Sequence, residues 1–103
     1  MDYNKLSTDE LEKNFNPRES VENFNHYLED SLLKSKDVKN QTHIYENIAY
    51  GKGPLQKLDI FGKNNKEDLK PLHIFIHGGY WRALDKDYHA HMSVPFNKNN
   101  ILF

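Results

Sequence analysis

Apolar residues recur at steps of three and four in the first third of the chain and at steps of two further on. Val21, Phe24, Leu28 and Leu32 fall on one helical stripe, with Glu22, Asn25, Glu29 and Lys36 opposite. This predicts a surface helix over residues 17–36. Asn16-Pro17-Arg18-Glu19 marks its start: a capping side chain, proline at the first helical position and Glu at the third. A shorter helix is predicted over residues 8–14, where Ser7 and Glu10 are spaced as a capping box and Leu6 and Leu11 occupy staple positions.

After Lys39-Asn40 the period changes. Residues 43–50 read as a strand with Ile44, Ile48 and Tyr50 on one side. Residues 56–61 read as a second strand, with Leu58 and Ile60 alternating against Lys57 and Asp59. Gly51-Lys52-Gly53-Pro54 between them is a turn, so the pair is predicted to be an antiparallel hairpin. Residues 62–70 are polar and loop-like. Residues 71–77 are apolar on both faces apart from His73, as expected of a strand buried inside a parallel sheet. Asp85 or Asp87 is positioned to cap a helix reaching Lys98, kinked at Pro95, with Asn99-Asn100 as its left-handed C-cap. Ile101-Leu102-Phe103 then begins another apolar strand, parallel to the first by the right-handed crossover rule. The whole predicts an α/β architecture: a helical extension over residues 1–40, then the start of an α/β domain over residues 41–103. A parallel sheet needs helices on both faces, and the pattern supplies too few, so the chain reads as the N-terminal part of a longer fold.

Composition narrows the classes. The chain has 103 residues and a formal net charge of −1, which gives no bulk attraction to nucleic acid or anionic membrane. It has no cysteine, hence neither disulfides nor thiolate metal ligands. The N-terminus lacks the basic start and apolar core of a signal peptide, and no apolar run approaches the roughly 18 residues of a membrane span. The cytoplasm is the default expectation.

The chemistry concentrates where the 71–77 strand runs into Gly78-Gly79. Ligands of open α/β sheets sit beyond the carboxyl ends of strands. Two glycines there let the backbone turn sharply and bring N–H groups close to a substrate. Such donors hold the oxyanion formed when an acyl carbon is attacked. Gly78-Gly79 alone reads as an ordinary strand-to-helix turn; His77 before it and Trp81 after it favour the oxyanion reading.

Ile76-His77-Gly78-Gly79-Tyr80-Trp81 resembles the HGGxW motif of kynurenine formamidases (arylformamidases) and related esterases of the α/β-hydrolase superfamily. Tyr50-Gly51 with Leu58-Asp59-Ile60-Phe61, Arg82-Ala83-Leu84-Asp85-Lys86, and Asn16-Pro17-Arg18 resemble further segments of that family, so the likeness covers nearly the whole chain. The resemblance implies an N-terminal portion of an α/β-hydrolase that cleaves an ester or amide bond through an acyl-enzyme, with N-formylkynurenine as the suggested substrate. It implies backbone oxyanion donors at Gly79 and Tyr80, a turn enabled by Gly78, and a loop braced by His77. Trp81 would pack behind the loop. Asp85 and Lys86 match family positions, with no role beyond capping and surface pairing. One departure is decisive: none of Ser7, Ser20, Ser31, Ser35 and Ser93 sits in a Gly-x-Ser-x-Gly context. Nucleophile, acid and base are therefore expected outside this sequence, and no histidine here is assigned a catalytic role.

No cofactor is implied, and no metal. His73 and His77 on one strand face would stand about 13 Å apart at about 3.3 Å per residue, and His89 and His91 point apart on a helix. Two other classes stand beside the hydrolase reading. One is a self-standing α+β binding protein that pairs a strand from another chain along an exposed edge at residues 101–103. The other is one half of a split hydrolase.

Overall fold

The computed structural model describes residues 2–103, which divide into two compact units, the first ending at Asp30 and the second Ser31–Phe103.

In the first unit a single 3-10 turn, Tyr3–Lys5, precedes helix α1, Thr8–Phe15. The capping box forms as predicted: Ser7 Oγ accepts from the Glu10 N–H at 3.3 Å, and the Ser7 N–H donates to Glu10 Oε2 at 2.8 Å. Asn16 Oδ1 then caps α2 by accepting from the Arg18 N–H at 3.0 Å. The single helix predicted over 17–36 is not continuous. It divides into α2, Pro17–Ser20, and α3, Phe24–Gln41. Val21 is extended at φ −107°, ψ 121°, and Asn23 is left-handed at φ 57°. β-branched Val favours extended backbone, and Asn tolerates the left-handed well better than most residues, so the break falls on residues suited to it. The Arg18 guanidinium spans the break, 5.6 Å from the Phe24 ring centre. The covered stripe of α3 also departs from the predicted one. It runs through Ser31, Ser35 and Val38 and leaves Leu32 exposed.

In the second unit, strands β1, Ile44–Ala49, and β2, Lys57–Phe61, pair antiparallel, as the hairpin pattern predicts. Their alternation is broken by a bulge. Ile44 pairs with Phe61 and Tyr45 with Ile60, but Ile48 pairs with Leu58, so Glu46 and Asn47 together oppose Asp59. Asn47 takes φ 59°. The extra residue puts Ile48 on the face of Tyr45 rather than that of Ile44, which corrects the single apolar side predicted for β1.

Beyond the hairpin, Phe61 and Phe103 exchange both backbone hydrogen bonds, at 2.7 and 3.1 Å, an antiparallel pairing. Leu102 forms a parallel bridge with Leu72. The Leu102 N–H donates to the Pro71 carbonyl and the His73 N–H to the Leu102 carbonyl, both at 2.8 Å. The lateral order is therefore β1, β2, residues 101–103, then residues 71–73. Residues 101–103 are interior, with Leu102 buried, so the exposed edge considered there lies instead along 71–77.

The expectation that 71–77 is buried on both faces is also corrected. One face makes aromatic contacts while its residues stay exposed: His73 stacks on Phe96 at 4.2 Å, and Phe75, 39% exposed, lies 6.1 Å from Phe103 and 5.3 Å from His89. On the other face Leu72, Ile74 and Ile76 are 54, 74 and 85% exposed. The only ladder partner of this segment among the described residues is Leu102, which leaves one face and one edge open.

The predicted helix after Asp85 is stepped: 3-10 turns at Lys86–Tyr88 and Ala90–Met92 lead into α4, Ser93–Lys98. Asp85 caps the first turn by accepting from the Asp87 N–H at 2.8 Å. No kink arises at Pro95, because Pro95 occupies the first turn of α4, where an amide has no intrahelical acceptor to lose. Asn100 ends the segment left-handed at φ 61°, as its Asn-Asn pair predicts. Gly62, at φ 110°, brings the end of β2 against this segment; a side-chain carbon there would lie 2.9 Å from Leu102 Cδ2 and 3.1 Å from Asn97 Nδ2.

Candidate functional site: the loop after residue 77

The chain leaves the 71–77 segment and turns at Gly79. Its carbonyl accepts from the Arg82 and Ala83 N–H groups at 3.0 and 3.1 Å, closing a tight local turn. Gly79 takes φ 131°, and a side-chain carbon there would stand 1.8 Å from the Ala83 carbonyl oxygen, so only glycine fits. Gly78 has open space at its Cβ position and no left-handed φ. The turn expected of the pair therefore falls on Gly79.

Tyr80, Trp81 and Leu84 continue left-handed at φ 53°, 55° and 67°. Side chains with a Cβ rarely adopt this region, and each such residue costs about 1–3 kcal/mol. Among the described residues the Gly79 and Tyr80 amides, like those of Gly78 and Trp81, meet no internal acceptor. His77 Nδ1 lies 2.7 Å from the Gly78 carbonyl oxygen, a contact that the Nδ1–H tautomer satisfies by donating. Its ring stacks on that of His89 at 5.9 Å. The His89 imidazole is pushed below its ordinary range, first by burial and then by the nearby His77 and His91, against a smaller opposite pull from Asp85. Trp81, expected to pack behind the loop, is 98% exposed, and its ring neighbour among the described residues is Tyr80 at 5.9 Å.

Two further clusters lie near the loop. Ser35 Oγ accepts from the His91 N–H at 3.1 Å and lies 3.0 Å from His91 Nδ1. Ser35 is fully buried, so this serine–histidine pair fastens α3 to the Ala90–Met92 turn and offers no nucleophile. The other cluster was not anticipated. The Asp59 side chain is only 3% exposed and holds Lys86 at 2.9 Å and Lys39 at 3.4 Å. Lys39 also meets Glu46 at 2.9 Å and Asp87 at 2.5 Å. Burial works against the Lys39 charge, but hydrogen bonds to Asp87 and Glu46, with the charges of Asp59 and Asp87, raise its pKa above the ordinary lysine range. The Lys39 hydrogen bond in turn holds Asp87 below the usual carboxylate value, against burial. Oxygens of Glu46, Asp59 and Asp87 converge within 4.8 Å, a spacing that suits a cation. The two ammonium groups already among them make this an ion-pair network. Alternation placed Asp59 toward solvent; the Leu58-Asp59-Ile60-Phe61 resemblance was the signal that it differs from an ordinary surface acid.

No family model matches the chain. It is 29% identical to a kynurenine formamidase of Salmo salar, covering 90% of this chain and 34% of the relative. It is 32% identical to one of Danio rerio, covering 91% and 34%. A Drosophila melanogaster kynurenine formamidase is 38% identical over 40 residues, 39% of this chain and 13% of the relative. A crystal structure from Silicibacter sp., described as a suggested thioesterase, superposes with a TM-score of 0.75 at 26% identity, covering 90% of this chain and 36% of that one. The chain spans about a third of the length of the curated relatives it matches. These relatives support an arylformamidase-like family.

Proposed function

We propose that the chain carries the oxyanion loop of a serine hydrolase of the arylformamidase–esterase type, on an α/β-hydrolase fold. The observation that carries this reading is the backbone of residues 79–84. Gly79 adopts a turn only glycine fits, and Tyr80, Trp81 and Leu84 are held in a costly left-handed conformation after it. Strain of this kind concentrates where backbone geometry serves a ligand. The neighbouring strand order and the similarity to kynurenine formamidases favour the same reading.

In this mechanism a serine supplied by a longer or partner polypeptide attacks the carbonyl carbon of a formamide or ester. A histidine takes the serine proton and returns it to the leaving amine or alcohol. The Gly79 and Tyr80 amides stabilise the negative oxygen; one such donor is worth about 2.7–4 kcal/mol in the transition state. Water then releases the acid. The open Leu72–Ile74–Ile76 face is covered by the remainder of that polypeptide. N-formylkynurenine is the proposed substrate, and small carboxylic esters are the broader class.

The test is turnover of N-formylkynurenine and a fluorogenic acetate ester by this chain and by the longest polypeptide its reading frame encodes. The chain alone is expected to match buffer. A polypeptide that includes Gly-x-Ser-x-Gly is expected to turn over, and a serine-directed phosphonate to stop it. Such a polypeptide, folded and inert toward both substrates, would sink the reading.

A further inference from the structure

Two segments of the family resemblance lie beside the Gly79 and Tyr80 amides rather than on them: Leu58-Asp59-Ile60-Phe61 on β2 and Arg82-Ala83-Leu84-Asp85-Lys86 at the outgoing end of the loop. They meet at one ion pair, Lys86 Nζ to Asp59 Oδ2 at 2.9 Å. We propose that Asp59 and Lys86 are a positioning pair that fixes the outgoing end of residues 78–84 and so aims the Gly79 and Tyr80 amides, a role that rests on the oxyanion reading of the loop.

The loop cannot hold itself. Among the described residues its hydrogen bonds are local, from Arg82 and Ala83 to Gly79 and from His77 to Gly78, while Tyr80 and Trp81 project into solvent. Three residues in a disfavoured conformation stay there only if both ends are tied. On the incoming side the His77 ring stacks on His89 at 5.9 Å and Phe75 lies 5.3 Å from the same ring. At the outgoing end Leu84 is left-handed, and two residues later Lys86 reaches across to β2, 27 positions back in the chain.

Asp59 is built as an anchor. Its Oδ1 accepts from the Asn47 N–H at 2.8 Å, at the bulge, so the carboxylate cannot rotate freely. Its Oδ2 faces Lys86 and, at 3.4 Å, Lys39. The 3% exposure of the side chain removes most solvent screening and makes the charged hydrogen bond stronger than a surface pair. Because Lys39 stays beside the same oxygen, removing Lys86 leaves no orphaned buried charge. Lys86→Met therefore loosens the loop without unfolding the unit.

The experiment is residue-resolved amide exchange by NMR on the chain, Lys86→Met and Lys86→Arg. In Lys86→Met the Arg82 and Ala83 amides are expected to exchange about tenfold faster, the loss associated with one hydrogen bond to a charged group. The Tyr50 and Gly62 amides of the hairpin, bonded to Gln56 and His43, stay within about twofold. Lys86→Arg, which keeps the charge, restores the loop. Unchanged loop exchange in Lys86→Met overturns the proposal, as does equal acceleration in the hairpin, which would mark a merely structural contact. Turnover plays no part in this readout. A negative exchange result counts against the pair alone, and a negative turnover result against the hydrolase reading alone.

Discussion

Gly79 concentrates the geometry of the loop in one residue. A methyl group there meets the Ala83 carbonyl oxygen and also places a Cβ at φ 131°. Gly79→Ala is therefore expected to open the turn at a cost of about 1–3 kcal/mol. Exchange protection at Arg82 and Ala83 should vanish, while the Phe61–Phe103 pairing keeps its own; protection retained at Arg82 and Ala83 would contradict the geometry. The glycine pair was legible in advance as a turn, but the resemblance assigned that turn to Gly78, and only the backbone shows it on Gly79. Its neighbours were not legible. Tyr80 and Trp81 are poor candidates for left-handed backbone on intrinsic preference, and their conformation is imposed by how the chain must leave the strand. Asp59 was hidden for a related reason: alternation assigns an acid to solvent unless the cations that meet it are known, and Lys39 and Lys86 are remote in sequence.

Elements with local causes matched their sequence signals. The capping box, the hairpin, the Asp85 cap and the Asn100 stop each depend on residues a few positions apart. Elements that depend on distant neighbours diverged. The helix over 17–36 split at Asn23, and the β1 bulge reversed one face. Apolar spacing records which positions prefer burial, not whether the backbone stays regular between them. Gly62 links two elements and sets up a prediction at this scale. Gly62→Ala forces a Cβ against Leu102 and Asn97 at φ 110°, costing about 1–3 kcal/mol. Each kcal/mol lowers the unfolding midpoint of a domain this small by about 4–8 °C. A variant that melts with the parent would show that the hairpin end does not need this close approach.

Across the second unit, titration links stability to pH in two windows below neutrality. His89 is held below the ordinary histidine value of 6.5, chiefly by burial, so the unfolded chain takes up this proton first. Its contribution is complete above about pH 6.5 and is lost as pH falls through the lower folded value. Asp87 is held below the ordinary 3.8, chiefly by the Lys39 hydrogen bond, so a second loss begins under about pH 4. The unfolding midpoint is expected to be level from about pH 8 to 7, then to fall in two steps. His89→Asn removes the upper step and spares the lower; a midpoint that rises between about pH 7 and 5 contradicts the assignment. No described helix is long and apolar enough to cross a membrane. The open Leu72–Ile74–Ile76 face is the feature that sequence pattern overstated as buried, because a strand's composition records the cover it is suited to, whichever polypeptide provides that cover.

The chain contains a single tryptophan, and it stands exposed at the tip of the strained loop. Indole emission from this protein thus originates beside the two amides proposed to hold the oxyanion. Whatever settles on those amides changes the surroundings of the one fluorophore that can be excited apart from the tyrosines. The loop carries its own lamp, and its occupancy can be followed by colour in solution without any label.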